Sequence, residues 1–164
     1  MTEFKRHFIR KRELKEILTR FSKKMKTPLD VLSLNLRKIE IIHISGIQVI
    51  SIDEKPKIVK VNGEFYPTLL FSEIFPYMAK VVVDMGAVPH ICNGADVMAP
   101  GIVEVDGEFM KGDIVLVIDE RNRMPISIGK ALTDSEEARK ADKGKVIKNL
   151  HYVGDSIWKL MKKL

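Results

Sequence analysis

The chain has 164 residues, a mass of 18.7 kDa and a net charge of +6, a size that holds one domain or two small ones. Its single cysteine, Cys92, excludes an internal disulfide and a cysteine-rich zinc site, and its longest uncharged run, residues 41–52, is too short to span a bilayer. A pI near 9.4 points to an anionic partner such as nucleic acid or an acidic membrane surface. With no apolar stretch behind the basic residues at its start, a soluble cytoplasmic protein is expected.

The charge is unevenly placed. Residues 1–26 carry +7, residues 27–142 carry −6 and residues 143–164 carry +5. In the first segment Leu14, Ile17, Leu18, Phe21 and Met25 recur at helical steps, which predicts an amphipathic helix over about residues 11–24. A short strand over Phe4 to Ile9 would lead into it. Arg10, Lys11, Arg12 and Lys15 make a basic face there, a candidate surface for RNA or a partner protein. A helix lying on a membrane is disfavoured, because the stripe is needed for a small core and lacks Trp.

Beyond Pro28 the pattern turns to strands. Segments 38–44, 47–52 and 57–61 alternate or run apolar, with Gly46, Asp53-Glu54-Lys55-Pro56 and Asn62-Gly63 as turn signals. They predict an antiparallel meander packed on the first helix. Pro67 is placed in the first turn of a helix with Leu69, Leu70, Ile74 and Phe75 on its apolar face, stopped by Pro76. A boundary is expected near residues 76–79, giving domains 1–78 and 79–164.

The second half opens with the strand Val81-Val82-Val83. A short helix over Val88 to Asn93 follows, with Pro89 in its first turn and Asn93-Gly94 at its end. Strands are expected over 96–105, broken by Pro100-Gly101, and over 114–118, 125–132 and 145–153. Helices are expected over 134–141, with Thr133 as N-cap, and over 156–164. Many short strands with two small helices suggest a small β-barrel, so the fold class is α+β.

Asp84-Met85-Gly86-Ala87, Gly94-Ala95-Asp96-Val97-Met98-Ala99-Pro100-Gly101, Lys111-Gly112-Asp113 and Ile128-Gly129-Lys130-Ala131 are spaced as in the PUA domain. The resemblance covers residues 80–154. Phe65-Tyr66-Pro67-Thr68 before it, and Asn149-Leu150-His151-Tyr152 with Asp155 and Trp158 towards its end, resemble the malignant T-cell-amplified sequence and ligatin family. That family joins a pre-PUA domain to a PUA pseudo-barrel, and the chain resembles its archaeal form. The resemblance implies an RNA-binding protein of translation. Its barrel would hold a tRNA 3′ end or similar structured RNA, and it would act with the small ribosomal subunit in initiation or recycling. Relatives also pair with a protein partner. An RNA-binding accessory subunit of a modification enzyme is the alternative. The 79 residues before the PUA segment are too few for a synthase's catalytic part, so no catalytic role is expected of this chain alone.

A site that meets an RNA end needs backbone brought close, which glycine permits. Gly94, Ala95, Asp96, Val97, Pro100 and Gly101 are one candidate stretch, with backbone N–H groups expected to face phosphate or base edges. Gly129, Lys130 and Ala131 are another, where the missing side chain of Gly129 is expected to leave room for a base or ribose. Lys80, Lys145 and Lys148 would add salt-dependent phosphate contacts. The plainer reading of Gly94 is a helix cap, and Asp84 and Asp96 suit turns or caps. No metal or cofactor is expected, since His7, His43, His90 and His151 lack ligand-pair spacing. Cys92 is expected to be an inert, buried thiol.

Overall fold

Two-residue turns organise the first part of the chain. A computed structural model describes residues 4–28, 30 and 38–164. Within it β1 (Phe4–Phe8), β2 (Ile39–Ile44), β3 (Ile47–Ile52), β4 (Lys55–Val61) and β5 (Glu64–Pro67) form one antiparallel sheet in chain order. Ser45-Gly46, Asp53-Glu54 and Asn62-Gly63 connect β2 to β5, and both residues of each pair have positive φ. That is the signature of turns whose twist matches the strands they join. The Asp53-Glu54 turn has no glycine. It is tied instead by the Lys38 N–H to Asp53 Oδ1 at 3.1 Å and by Lys38 Nζ to Glu54 at 2.9 Å.

Helix α1 (Lys11–Met25) buries Leu14, Leu18, Phe21 and Met25 of the predicted stripe, leaves Ile17 half-buried, and ends on Lys26 in the left-handed region. Phe21 stacks on Phe71 with ring centroids 5.9 Å apart. Lys57 is buried in β4, an unusual place for a lysine. Its ammonium bonds both Glu73 oxygens, at 2.7 and 2.9 Å, and the Leu70 carbonyl, with the Phe71 ring 5.4 Å away. Burial acts to raise the Glu73 pKa, but the Lys57 hydrogen bond and charge hold it below the usual carboxylate value.

The helix expected to begin at Pro67 is not formed. The Asn62-Gly63 turn sends the chain back along β4, so Glu64–Pro67 pairs with it, Pro67 opposite Ile58. Proline at the end of a strand forfeits no ladder donor that the sheet needs. A 3-10 turn over Ser72–Tyr77 follows, with Pro76 inside it rather than after it.

The contacts divide the chain into two units, one running to Tyr77 and one comprising Met78–Lys163. The second unit is a six-stranded sheet in the order β7-β11-β10-β9-β6-β8. Its strands are β6 (Lys80–Val83), β7 (Val97–Met98), β8 (Ile102–Asp106), β9 (Ile114–Asp119), β10 (Pro125–Ala131) and β11 (Lys145–Tyr152). β6 runs parallel to β9 and all other pairings are antiparallel. β9 is buried along its whole length, so its continuous apolar run is that of a strand covered on both faces. Val81, Val83, Val97, Val115, Val117 and Ile147 are among the residues of one core cluster.

Three helices border this sheet. α2 (Val88–Ile91) is shorter than the sequence suggests, its last carbonyls being taken by the Cys92, Asn93 and Gly94 N–H groups. α3 (Ser135–Lys140) takes Asp134, not Thr133, as its N-cap; the Asp134 carboxylate accepts from the Lys111 N–H across a turn, at 2.9 Å. Arg139 of α3 reaches the Gly107 carbonyl at 2.7 Å and Glu108 at 2.9 Å. α4 (Ser156–Met161) ends before the predicted Leu164 and is capped by Asp155, which accepts from the Trp158 N–H at 2.7 Å. Asp155 also holds the fully buried His151 by Nδ1 at 2.9 Å. No helix among the described residues is long and apolar enough to cross a membrane.

Candidate nucleic-acid interface

The rim beside β7 and β11 is shaped by one side chain that the sequence reading did not weigh. Asn149 of β11 donates through Nδ2 to the Ile91 carbonyl at 3.0 Å and the Ala95 carbonyl at 2.9 Å. Its backbone N–H donates to Asp96 Oδ1 at 2.8 Å, and its Oδ1 accepts from the buried Ser127 hydroxyl at 2.8 Å. One residue thus ties the loop after α2 to β10 and β11. Asn149 stands in the stretch Asn149-Leu150-His151-Tyr152 on which the family resemblance rests, and that was the available signal. Asp96 also meets Lys145 Nζ at 3.3 Å through its second oxygen, so its role is to clamp β7 to β11.

Two of the loop amides expected to face a ligand are taken up within the loop itself. The Gly94 N–H bonds the Ile91 carbonyl and the Ala95 N–H bonds the His90 carbonyl, both at 3.0 Å. Gly94 is a helix-ending residue with φ +97, and a Cβ there would lie 3.2 Å from the Tyr152 hydroxyl. Gly101 packs closely, since a Cβ would stand 3.1 Å from that of Ala87, and its carbonyl accepts from the Asp84 N–H at 2.9 Å. Asp84 Oδ1 in turn accepts from the Ala87 N–H, the turn role expected of it.

Gly129 is a second correction. It is buried, and a Cβ would fall 2.2 Å from Ile147 Cγ2 and 3.1 Å from the Lys148 carbonyl oxygen. The space left by its missing side chain is filled by β11, so no base or ribose enters there. Val97 and Ala131 are core residues, each 1% exposed, and their side chains cannot reach a ligand. Ala131 exchanges backbone hydrogen bonds with the Lys111-Gly112-Asp113 turn. Lys80 lies on β6, separated from β10 by β9, with its ammonium on the Met78 carbonyl at 3.0 Å.

The structure does bring Lys130 and Lys148 together. They are direct partners across β10 and β11, Lys148 exposed and Lys130 half-exposed. Lys145 stands three residues before Lys148, exposed, on the same strand. Pro89, His90, Asn93, Gly94, Ala95, Met98 and Pro100, on α2 and in the segment after it, are also exposed. In the first unit Arg10, Lys11, Arg12 and Lys15 are exposed at the start of α1. Cations there oppose the partial positive charge of a helix N-terminus. Among the described residues no cluster of three or more His, Cys, Asp and Glu is placed to hold a metal. Burial pushes the half-buried Cys92 thiol up, away from the reactive thiolate.

The PUA domain profile matches residues 79–153, and a domain of unknown function, DUF1947, matches residues 5–72. An uncharacterized protein of Methanocaldococcus jannaschii is 41% identical over 94% of this chain and 95% of its own length. Translation machinery-associated protein 20 of Saccharomyces cerevisiae is 29% identical over 90% and 86%. Malignant T-cell-amplified sequence 1 of Rattus norvegicus is 28% identical over 68% and 69%. A hypothetical protein of Pyrococcus horikoshii, a solved structure, superposes with a TM-score of 0.81 at 31% identity over 96% of this chain and 99% of that one. With a DUF1947 unit followed by a PUA domain, and a relative 41% identical over 94% of its length, the chain belongs to the pre-PUA plus PUA family, to whose malignant T-cell-amplified sequence and translation machinery-associated proteins it is similar.

Proposed function

We propose that this chain is a non-enzymatic RNA-binding protein of the translation apparatus. Its PUA unit holds the 3′ end of a tRNA or a similar structured RNA, and the protein works on the small ribosomal subunit in initiation or recycling. The observation that carries this reading is the Lys130–Lys148 pair, two lysines directly opposite each other on β10 and β11. The pair suits a phosphate near a single-stranded end, whose bases are open to recognition on their edges. The relatives' names supply the setting in translation. The basic start of α1 supplies sequence-independent attraction to ribosomal RNA or an acidic protein partner.

Filter binding with tRNA, intact and trimmed of its CCA end, tests the first part. Intact tRNA binds more tightly on this reading, and equal binding of the two overturns it. Gradient sedimentation with small subunits tests the second, and absence of co-migration at low salt rejects it. Co-purification with a modification enzyme in place of ribosomal proteins would replace the translation role by the accessory one.

A further inference from the structure

The first unit carries a rank of residues that the proposed function does not use. Across all five strands the register aligns Lys5, His43, Gln48, Lys60 and Phe65 as successive direct partners. Cross-strand partners share a face, so these five side chains form one row on one side of the sheet. His7 lies two residues from Lys5 on the same face, and its ring stacks on that of His43 with centroids 5.3 Å apart and planes 20° from parallel. Lys60 Nζ sits 5.1 Å from the centre of the Phe65 ring.

Lys5 and His7 are exposed and the other four are half-buried. The next rank inward is Ile41, Ile50 and Ile58, all buried, so the row stands at the edge of a packed floor. The carboxylates of the neighbouring positions belong to the other face. Glu64 pairs there with Lys24 of α1 at 3.0 Å, and Glu40 with Arg6 at 3.4 Å. The row therefore holds two lysines, two ring-bearing residues and one amide, with no acid among its members. At the usual strand spacing it extends about 19 Å, enough for a few extended nucleotides.

We infer that this row is a binding face for single-stranded RNA. His43, with His7 against it, and Phe65 present rings for base stacking, Gln48 offers an amide to a base edge, and Lys5 and Lys60 lie beside the track of phosphates. Stacking on ring side chains combined with lysines along the backbone path is the general chemistry of sequence-tolerant single-strand binding. A sheet face suits it because alternate residues of adjacent strands project side by side. The site is separate from the Lys130–Lys148 surface and stands whether or not that surface takes a tRNA end.

The test uses the full chain and a fluorescein-labelled ten-nucleotide oligouridylate carrying 4-thiouridine, read by anisotropy and by photo-cross-linking. His43→Ala or Phe65→Ala weakens oligomer binding about tenfold, whereas His43→Tyr, which keeps a ring, restores it. Cross-links fall in residues 39–44 and 60–67. Binding of intact tRNA relative to trimmed tRNA is unchanged by these variants. Where an alanine variant lowers the thermal midpoint, Lys60→Glu replaces it and lowers affinity through charge. The inference is overturned if the oligomer fails to bind at low salt, if folded row variants bind like the parent, or if cross-links fall only within 79–153.

Discussion

Replacing Gly129 by alanine separates a packing role from a ligand role. The added methyl would lie 2.2 Å from Ile147 Cγ2, whereas carbon atoms rest near 3.5–4.0 Å, so roughly 1.5 Å of displacement is required between β10 and β11. Overpacking of this kind costs about 1–3 kcal/mol. Ile147 is fully buried, so Ile147→Ala alone costs about 2–5 kcal/mol through the cavity it leaves. In the double variant the methyl at 129 enters the space vacated at 147. The two losses should then fail to add, with a favourable coupling of about 1–3 kcal/mol. Trp158 is the only tryptophan and lies in the second unit, so its fluorescence in urea reports on the unit concerned. A midpoint lower by roughly 1 M is expected for Gly129→Ala, with partial recovery relative to additivity in the double variant. Strict additivity would refute the packing argument. So would Gly129→Ala with an unchanged midpoint and lost RNA preference, which would restore a direct contact at that position.

Burial acts to raise the pKa of Asp155, but the hydrogen bond and charge of His151 and the Trp158 and Tyr152 N–H groups hold it below 3.8, its unperturbed value. Its stabilising contribution is therefore complete above that pH and is lost as pH falls through the lower folded value. Asp155→Asn should flatten the acid limb of stability against pH, and an unchanged limb would show that the pair is not responsible. Neutralising Arg10, Lys11 and Arg12 together should raise the thermal midpoint of the first unit, by relieving the helix N-terminus, while weakening all RNAs alike. Calorimetry and filter binding read the two effects, and a fall in midpoint contradicts the reasoning. Lys148→Gln should reduce the slope of log affinity against log salt by about 0.7 for a single-stranded end, and an unaltered slope removes Lys148 from the phosphate path. Gly63→Ala meets no atom within 4 Å yet forces a Cβ into φ +79, so a loss of about 1 kcal/mol by urea titration is expected from backbone strain alone.

Local pattern made much of the fold legible. The α1 stripe, the alternating segments and Asn62-Gly63 each announce an element through a period or a turn that no distant residue has to supply. The failures arise where a distant strand decides. Pro67 has the credentials of a helix start, but β4 captures the segment first. Thr133 and Asp134 are both good caps, and the choice depends on backbone position and on Lys111, twenty-three residues from Asp134. The glycine motifs have a packing role that the sequence alone does not reveal. Gly94, Gly101 and Gly129 serve close packing, and each contact partner, Tyr152, Ala87 and Ile147, lies outside the motif concerned. The lysine pair was invisible for a related cause: residues 130 and 148 become neighbours only through a register shift between Ile128 and Gly129.

The three positive-φ turns set a different timetable for the two halves of the molecule. β2 to β5 are joined by two-residue loops, so each pairing closes a short stretch of chain and the loop-closure entropy is small. β6 pairs in parallel with β9 across the thirty residues from 84 to 113. Low contact order in the β2–β5 meander and a long-range parallel pairing in the second unit predict separate folding phases, with the meander assembling faster; β1 joins β2 only across residues 9–38, a span as long as that between β6 and β9. The slow phase is then the one in which β6, buried in the finished protein, stands open along both edges. Chaperone demand and aggregation on dilution from denaturant should track that phase and not the meander.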